Sequence, residues 1–414
     1  MKMIHPCFKI AAASIAAFLC IVFNFNAKAC TSAVVSAKAS ADGRPLLWKN
    51  RDTDEPRNRI EAFKGEKYCF TALVNSPRVK GGEAWAGNNE AGFCIMNTAS
   101  YNLKELDDTT KIADQEGKLM YRALSVCKNL SDFENLLDSL PKPLGVEANF
   151  GIIDAEGGAA FYEVNDFQWV KRDANDGETA PDGYMVVTNF SFTGREDEGM
   201  GYIRYDTASK LFEDHLINAT AFSPEWILSS CSRSFYNSLL DIDLRKQAPA
   251  NGWYPDSDFI PRSSTAAAVV FQGVRYGENP ELTVMWTVLG YPPVSCAVPL
   301  FVDTDLPVYM VSNRKSMSED EIDSNHRYPV SYLDEWALSR KAKVFSLKRN
   351  NGIEYLNFSV LYNKNGTGLM QESNAKEAKV FSVSLPLIDR WRMAGKVDKE
   401  ELASLYDSIA SIIF

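Results

Sequence analysis

Ala27-Lys28-Ala29-Cys30-Thr31-Ser32 is the stretch on which the reading of this 414-residue chain turns. Two small residues, Ala27 and Ala29, stand where a signal peptidase needs them, and a cysteine follows at once. Upstream, Lys2 and Lys9 give a weakly positive start, and Ala11 to Phe25 is mostly apolar. That run is shorter than the roughly 20 residues a membrane-spanning helix needs. Residues 1–29 are therefore expected to be an export signal, placing the mature protein in the periplasm or outside the cell. Cleavage between Ala29 and Cys30 gives one residue both a thiol and a free α-amine. Their ordinary pKa values, about 8.5 and about 7.7–8.0, are close enough for cheap proton exchange. An amide nitrogen is no base, so maturation would also be activation.

Composition narrows the function classes. The formal net charge is −10, and loss of Lys2, Lys9 and Lys28 with the leader makes it −13. So acidic a chain offers no footprint for nucleic acid or anionic lipid, and stable membrane insertion after cleavage is not expected. Six cysteines follow the cut: Cys30, Cys69, Cys94, Cys127, Cys231 and Cys296. They form no CxxC pair and no Cys/His cluster, so neither a metal site nor any other cofactor is expected. Cys69, Cys94 and Cys127 read as buried free thiols. The two remaining histidines, His215 on a helix surface and His326 in a loop, have no catalytic context.

Outward from Cys30 the chain reads as hairpins alternating with helix pairs. Thr31–Ser36 and Arg44–Lys49 flank the turn Ala41-Asp42-Gly43 as a hairpin, which brings Lys49-Asn50-Arg51-Asp52 beside Cys30. Strands follow at Tyr68–Val74, Ala84–Ala86 and Phe93–Asn97. Helices are predicted at Glu116–Cys127 and Ser131–Leu140, the second opened by a Ser131/Glu134 capping box. A hairpin at Phe150–Asp154 and Ala159–Val164 leads into a surface loop, residues 165–182. A buried strand at Tyr184–Asn189 comes next, then helices at Tyr202–His215 and Pro224–Leu239, the latter capped by Ser223. Gln247–Arg262 reads as a loop, Thr265–Gln272 and Leu282–Leu289 as strands. The tail is mixed, then helical from Val397 behind an Asp398/Glu401 capping box. No linker is visible, and the class is α+β.

Cys30-Thr31-Ser32, Asp42-Gly43 and Lys49-Asn50-Arg51-Asp52 together resemble the start of the N-terminal-nucleophile amide hydrolases of the choloylglycine hydrolase and isopenicillin N acyltransferase group. Further matches follow in order: Asn88-Asn89-Glu90-Ala91-Gly92 with Asn97, Asp154-Ala155-Glu156-Gly157, Val187-Thr188-Asn189, Arg262-Ser263-Ser264-Thr265 and Gly290-Tyr291-Pro292-Pro293. The resemblance implies a four-layer αββα sandwich, two antiparallel sheets between helices, over residues 30–300. Residues 301–414 have no counterpart and are taken as a C-terminal helical elaboration packed on the same domain.

The resemblance also implies roles. Cys30 is the nucleophile, Asp52 holds its amine, Asn97 and Asn189 form the oxyanion hole, and Arg262 is the site arginine, with Arg233 as competitor. Lys49 is placed facing the substrate, and Arg51 reads as a substrate-facing or a surface charge. Lys49 stands where bile salt hydrolases carry Arg and the fungal acyltransferase Gln, which argues against bile salts as substrate. The expected activity is cleavage of a linear non-peptide amide, a small molecule, through an acyl-enzyme on Cys30. The alternatives are acyl transfer to an amine, a Cys30-lipidated binding protein, or an inactive ligand-binding member. Trp85, Trp226, Trp253 and Tyr254 make an apolar acyl pocket plausible. A homo-oligomer is left open.

Overall fold

The computed structural model describes residues 29–77, 82–104, 110–218, 221–256, 258–311, 330–348 and 354–414. The leader before Ala29 and the loop expected at His326 lie outside them.

Two antiparallel sheets stand face to face. The seven-stranded sheet is a meander in chain order: β3 (Asn58–Lys64), β4 (Cys69–Asn75), β5 (Ala86–Asn89), β6 (Cys94–Ala99), β7 (Ala148–Ile153), β8 (Ala159–Val164) and β9 (Trp169–Asp173). The six-stranded sheet runs β10 (Tyr184–Val187), β1 (Thr31–Val35), β2 (Leu46–Asp52), β14 (Thr265–Gln272), β15 (Val284–Leu289) and β16 (Ala297–Leu300). Smaller pairings join β11 (Tyr236–Asn237) to β12 (Ile242–Asp243), and β13 (Trp253–Pro255) to β18 (Glu354–Asn357), which also pairs with β17 (Leu347–Lys348).

Strand alternation sends neighbouring side chains of β2 to opposite faces. Trp48 stacks on Phe212 of α3 (Tyr202–Asn218), on the outer side. Leu47 meets the other sheet, where a Cβ on Gly151 would come within 2.8 Å of it. Outside the seven-stranded sheet lie α1 (Glu116–Val126) and α2 (Leu130–Ser139), sharing a cluster that holds Phe93, Leu124, Phe133 and Phe150. The layers are therefore helix, sheet, sheet, helix, the architecture implied by the resemblance.

The C-terminal residues belong to the same core. After α4 (Tyr332–Val344) come α5 (Leu369–Ala394) and α6 (Lys399–Ile413). Phe381 and Trp391 of α5 and Leu402, Leu405 and Ile409 of α6 join the cluster that contains Trp48 and Trp286. Trp286 stacks on Phe381 at 4.3 Å. Arg233, fully buried, is clamped by Glu377 of α5 at 2.6 and 2.7 Å.

Several expected elements come out differently. The surface loop at 165–182 contains β9, which closes the sheet edge against β8. Helix α2 begins one residue before Ser131, and its cap is Asn129, which accepts from the Asp132 amide. The helix capped by Ser223 ends at Cys231, passing from Pro224–Trp226 into a wide π turn at Ile227–Cys231. Beyond it Trp48 and Asn50 bond to Ser232, so those residues serve the sheet rather than a helix. The mixed tail holds the 26-residue α5, unexpected because Pro386 lies inside it and proline ordinarily interrupts a helix. Strands β3 and β16 are additions. All six cysteines from Cys30 onward are free, with Cys69 only partly buried.

Candidate active site

Central strand β2 carries Lys49, Asn50, Arg51 and Asp52 in succession, each no more than 3% exposed. Four buried polar side chains in a row are costly unless each finds partners. Lys49 Nζ donates to Asn97 Oδ1 and to the Trp85 carbonyl, both at 2.9 Å. Asn50 Nδ2 donates to the Ser232 carbonyl at 3.1 Å. Arg51 donates to Asn58 and, at 2.7 Å, to Asn75, and its guanidinium lies over the Trp85 ring. Asp52 accepts from Arg262 Nε at 2.7 Å and from Thr265 Oγ1 at 2.6 Å.

Cys30 stands immediately before β1, whose first residue Thr31 pairs with Asn50. It is 6% exposed, and its Sγ lies 3.9 Å from the Asp52 carbonyl oxygen. Arg204 of α3 reaches across from the outer layer. Its Nη1 donates to the Cys30 carbonyl at 2.7 Å and to Thr31 Oγ1 at 2.8 Å, and its Nη2 to Asn189 Oδ1 at 2.8 Å.

A cavity of about 410 Å³ opens at Cys30. Lys49, Arg51, Asp52, Trp85, Asn97 and Tyr101 line it, with carboxylates at Asp54, Glu55, Asp114, Glu116 and Glu147 and a further cation at Lys104. A second, about 570 Å³, is lined by Ala29, Arg204, Asp256 and Arg262, and shares Thr53 and Asp54 with the first. Burial lowers the Lys49 pKa to about 8, with Arg51 adding to the effect and Cys30 and Asp52 opposing it. Burial likewise brings Arg51 and Arg204 down to about 10. At Arg262 burial works against the charge, but Asp52 beside it prevails and the pKa lies above the ordinary value.

Of the residues singled out from sequence, Cys30, Lys49, Arg51, Asp52 and Asn97 share the first cavity, and Arg262 touches Asp52 from the second. Arg233 lies elsewhere, paired with Glu377. Asn189 is fully buried and does not line the Cys30 cavity. Its Nδ2 donates to the Ala99 carbonyl at 2.9 Å while its Oδ1 receives Arg204. Of the four aromatics considered for a pocket, Trp85 alone lines it; Trp226 stacks on His215, and Trp253 and Tyr254 lie in β13.

Sequence reasoning gave no role to Arg204 or Thr265. A signal existed for Arg204. With Ala208 and Phe212 it forms an i, i+4, i+8 row on the buried face of α3, where a charge demands a partner.

No family model matches the chain, and neither does any curated protein. Solved structures do. An N-acylethanolamine-hydrolyzing acid amidase ortholog of Caenorhabditis elegans matches at 13% identity and TM-score 0.38, over 59% of this chain and 92% of that one. A mutant conjugated bile acid hydrolase of Clostridium perfringens matches at 10% identity and TM-score 0.38, over 65% and 92%. A penicillin V acylase of Agrobacterium tumefaciens matches at 14% and 0.35, over 66% and 86%.

Proposed function

We propose that this chain is an exported cysteine amidohydrolase whose nucleophile is Cys30, matured by removal of residues 1–29. One observation carries the reading: the Cys30 thiol opens onto a cavity whose wall includes a carboxylate, Asp52, fixed from behind by Arg262 and Thr265. Ala29 and Cys30 line different cavities that meet at Thr53 and Asp54, which agrees with a scissile bond at a junction between open spaces.

After the cut, the Cys30 amine takes the thiol proton as sulfur attacks the substrate carbonyl. Asp52, tied to Arg262 and Thr265, orients the ammonium so formed. Asn97, whose oxygen accepts from Lys49, is assigned to donate from its amide nitrogen to the developing oxyanion. The C–N bond breaks as the ammonium returns its proton to the leaving nitrogen, leaving a thioester. Water then attacks with the amine as base, releasing the acid and the thiol. Asn189 serves as a brace, gripping Arg204, which in turn holds the Cys30 carbonyl. An amine in place of water would make the protein an acyltransferase with the same residues.

The substrate class proposed is a linear non-peptide amide, an N-acyl amine or amino-acid conjugate. The test is turnover of a panel of such amides by mature protein, with Cys30→Ala as control. Turnover in the wild type that disappears in the variant supports the reading; equal turnover in both refutes it. A diacylglyceryl adduct on Cys30 would favour a lipid-anchored binding protein instead.

A further inference from the structure

Helix α4 is capped by Ser331, whose hydroxyl accepts from the Asp334 amide, and presents Leu333, Asp334, Ala337 and Val344 to the interior. Lys341 is four residues after Ala337 and seven after Asp334, on that same inward row. A lysine in the last turn of a helix usually stays near the helix's own carbonyls or in water. Lys341, partly buried, turns its ammonium inward instead. Its Nζ donates to the carbonyl of Thr265 at 3.0 Å and lies 5.4 Å from the centre of the Tyr291 ring. Thr265 and Tyr291 are both fully buried.

Thr265 is the residue that places Asp52. Its hydroxyl donates to Asp52 Oδ1 at 2.6 Å and accepts from the Arg262 amide at 3.0 Å, while its own amide donates to the Arg262 carbonyl at 2.8 Å. The ladder between β2 and β14 slips by one residue here, with Thr265 opposite Asp52 but Ala267 opposite Arg51. Such an irregularity loosens the regular pairing that would otherwise hold the backbone. We propose that Lys341 is a positioning residue of the Cys30 site, an ammonium from the C-terminal segment that pins the Thr265 backbone and so fixes Asp52 relative to Cys30. The inference rests on the amidohydrolase reading and extends it: residues 301–414 complete the site as well as the core.

The charges around Lys341 fit this role. Asp52, Asp256, Glu354 and Asp334 face it, and Arg262 stands beyond Asp52. Burial lowers the Lys341 pKa to about 8, these carboxylates opposing it, so the ammonium persists at neutral pH. Burial raises Asp256 to about 6 and Asp334 well above the carboxylate range.

The experiment compares mature wild type, Lys341→Met and Lys341→Arg. Cys30 alkylation by iodoacetamide is followed across pH on the N-terminal peptide, together with kcat and KM on an amide that the wild type turns over. Removal of the cation is expected to move the alkylation midpoint to higher pH and lower kcat about tenfold or more, with KM within twofold. Arg should restore most of both. Thr265→Val should lower kcat similarly, and the double variant Lys341→Met/Thr265→Val should cost no more than Thr265→Val alone, because both act through one contact. An unchanged midpoint and kcat in folded Lys341→Met, or full additivity in the double variant, overturns the inference. Lys341→Gln makes the comparison if the Met variant does not fold. Wild-type Cys30 that is not the mature N-terminus, or is inert to alkylation, refutes the underlying reading and this inference with it; a reactive Cys30 indifferent to Lys341 refutes this inference alone.

Discussion

Asp52 is bound on both carboxylate oxygens, by Arg262 and Thr265, and its strand neighbour Lys49 is buried against Asn97. Two expectations follow at this scale. Asp52→Asn keeps the shape but loses the charge to which the proposed mechanism assigns the orientation of the Cys30 amine, and kcat should fall at least about 10²-fold, as for loss of general acid–base function; kcat and KM on the best amide check it. Lys49 makes a pH signature. Its folded pKa near 8 lies below the ordinary 10.5. Between those values the unfolded chain binds a proton that the folded chain does not, so stability rises with pH through that window. Wild type should therefore gain on Lys49→Met by on the order of 3 kcal/mol between pH 8 and 10.5, read from urea unfolding at several pH values. A constant difference would contradict it. The motif Lys49-Asn50-Arg51-Asp52 was readable because its members are adjacent and strand spacing brings them beside Cys30. The partners of Arg204, Thr265 and Lys341 were not, since they converge only through the fold; the helix row marks Arg204 as needing a partner but not which, and it meets Cys30 from 174 positions away.

At the level of elements, local signals were legible and long-range ones were not. The turn of β1–β2 is marked by Gly43 at φ +70° and that of β7–β8 by Gly157 at φ +92°, conformations that glycine adopts without strain. Strand β9 is half-exposed and charged, so nothing in its composition separates it from a loop until it pairs with β8. Helix α5 was hidden by Pro386, yet a buried ion pair fastens it to Arg233, in the turn after the π turn, and the Ala297 amide of β16 donates to Glu377 at 2.8 Å. Glu377→Ala leaves Arg233 buried and unpaired, and should cost about 3–5 kcal/mol. The paired change Arg233→Met/Glu377→Leu should cost distinctly less. Thermal and urea unfolding of both variants separates these outcomes, and equal losses would mean that packing, not charge, holds α5.

For the molecule as a whole, the sandwich of residues 30–300 and the segment after it share one core. Trp286 stacks on Phe381, the Cys296 thiol bonds to the Ser373 carbonyl, and the Ala297 amide donates to Glu377. A chain ending at Gly395 loses Leu402, Leu405, Tyr406, Ile409 and Ile413, all buried. Exposure of the apolar partners of α6 should make it markedly less soluble or lower its melting temperature by many degrees, checked by soluble yield and thermal unfolding. Unchanged behaviour would make α6 dispensable. The central claim, however, is about one bond and one sulfur. Peptide-level mass spectrometry of mature protein, quenched during turnover of an amide, tests it most directly. The expected result is a chain beginning at Cys30, with the substrate's acyl group on that residue and on no other. A chain beginning elsewhere, or turnover with Cys30 never acylated, contradicts it.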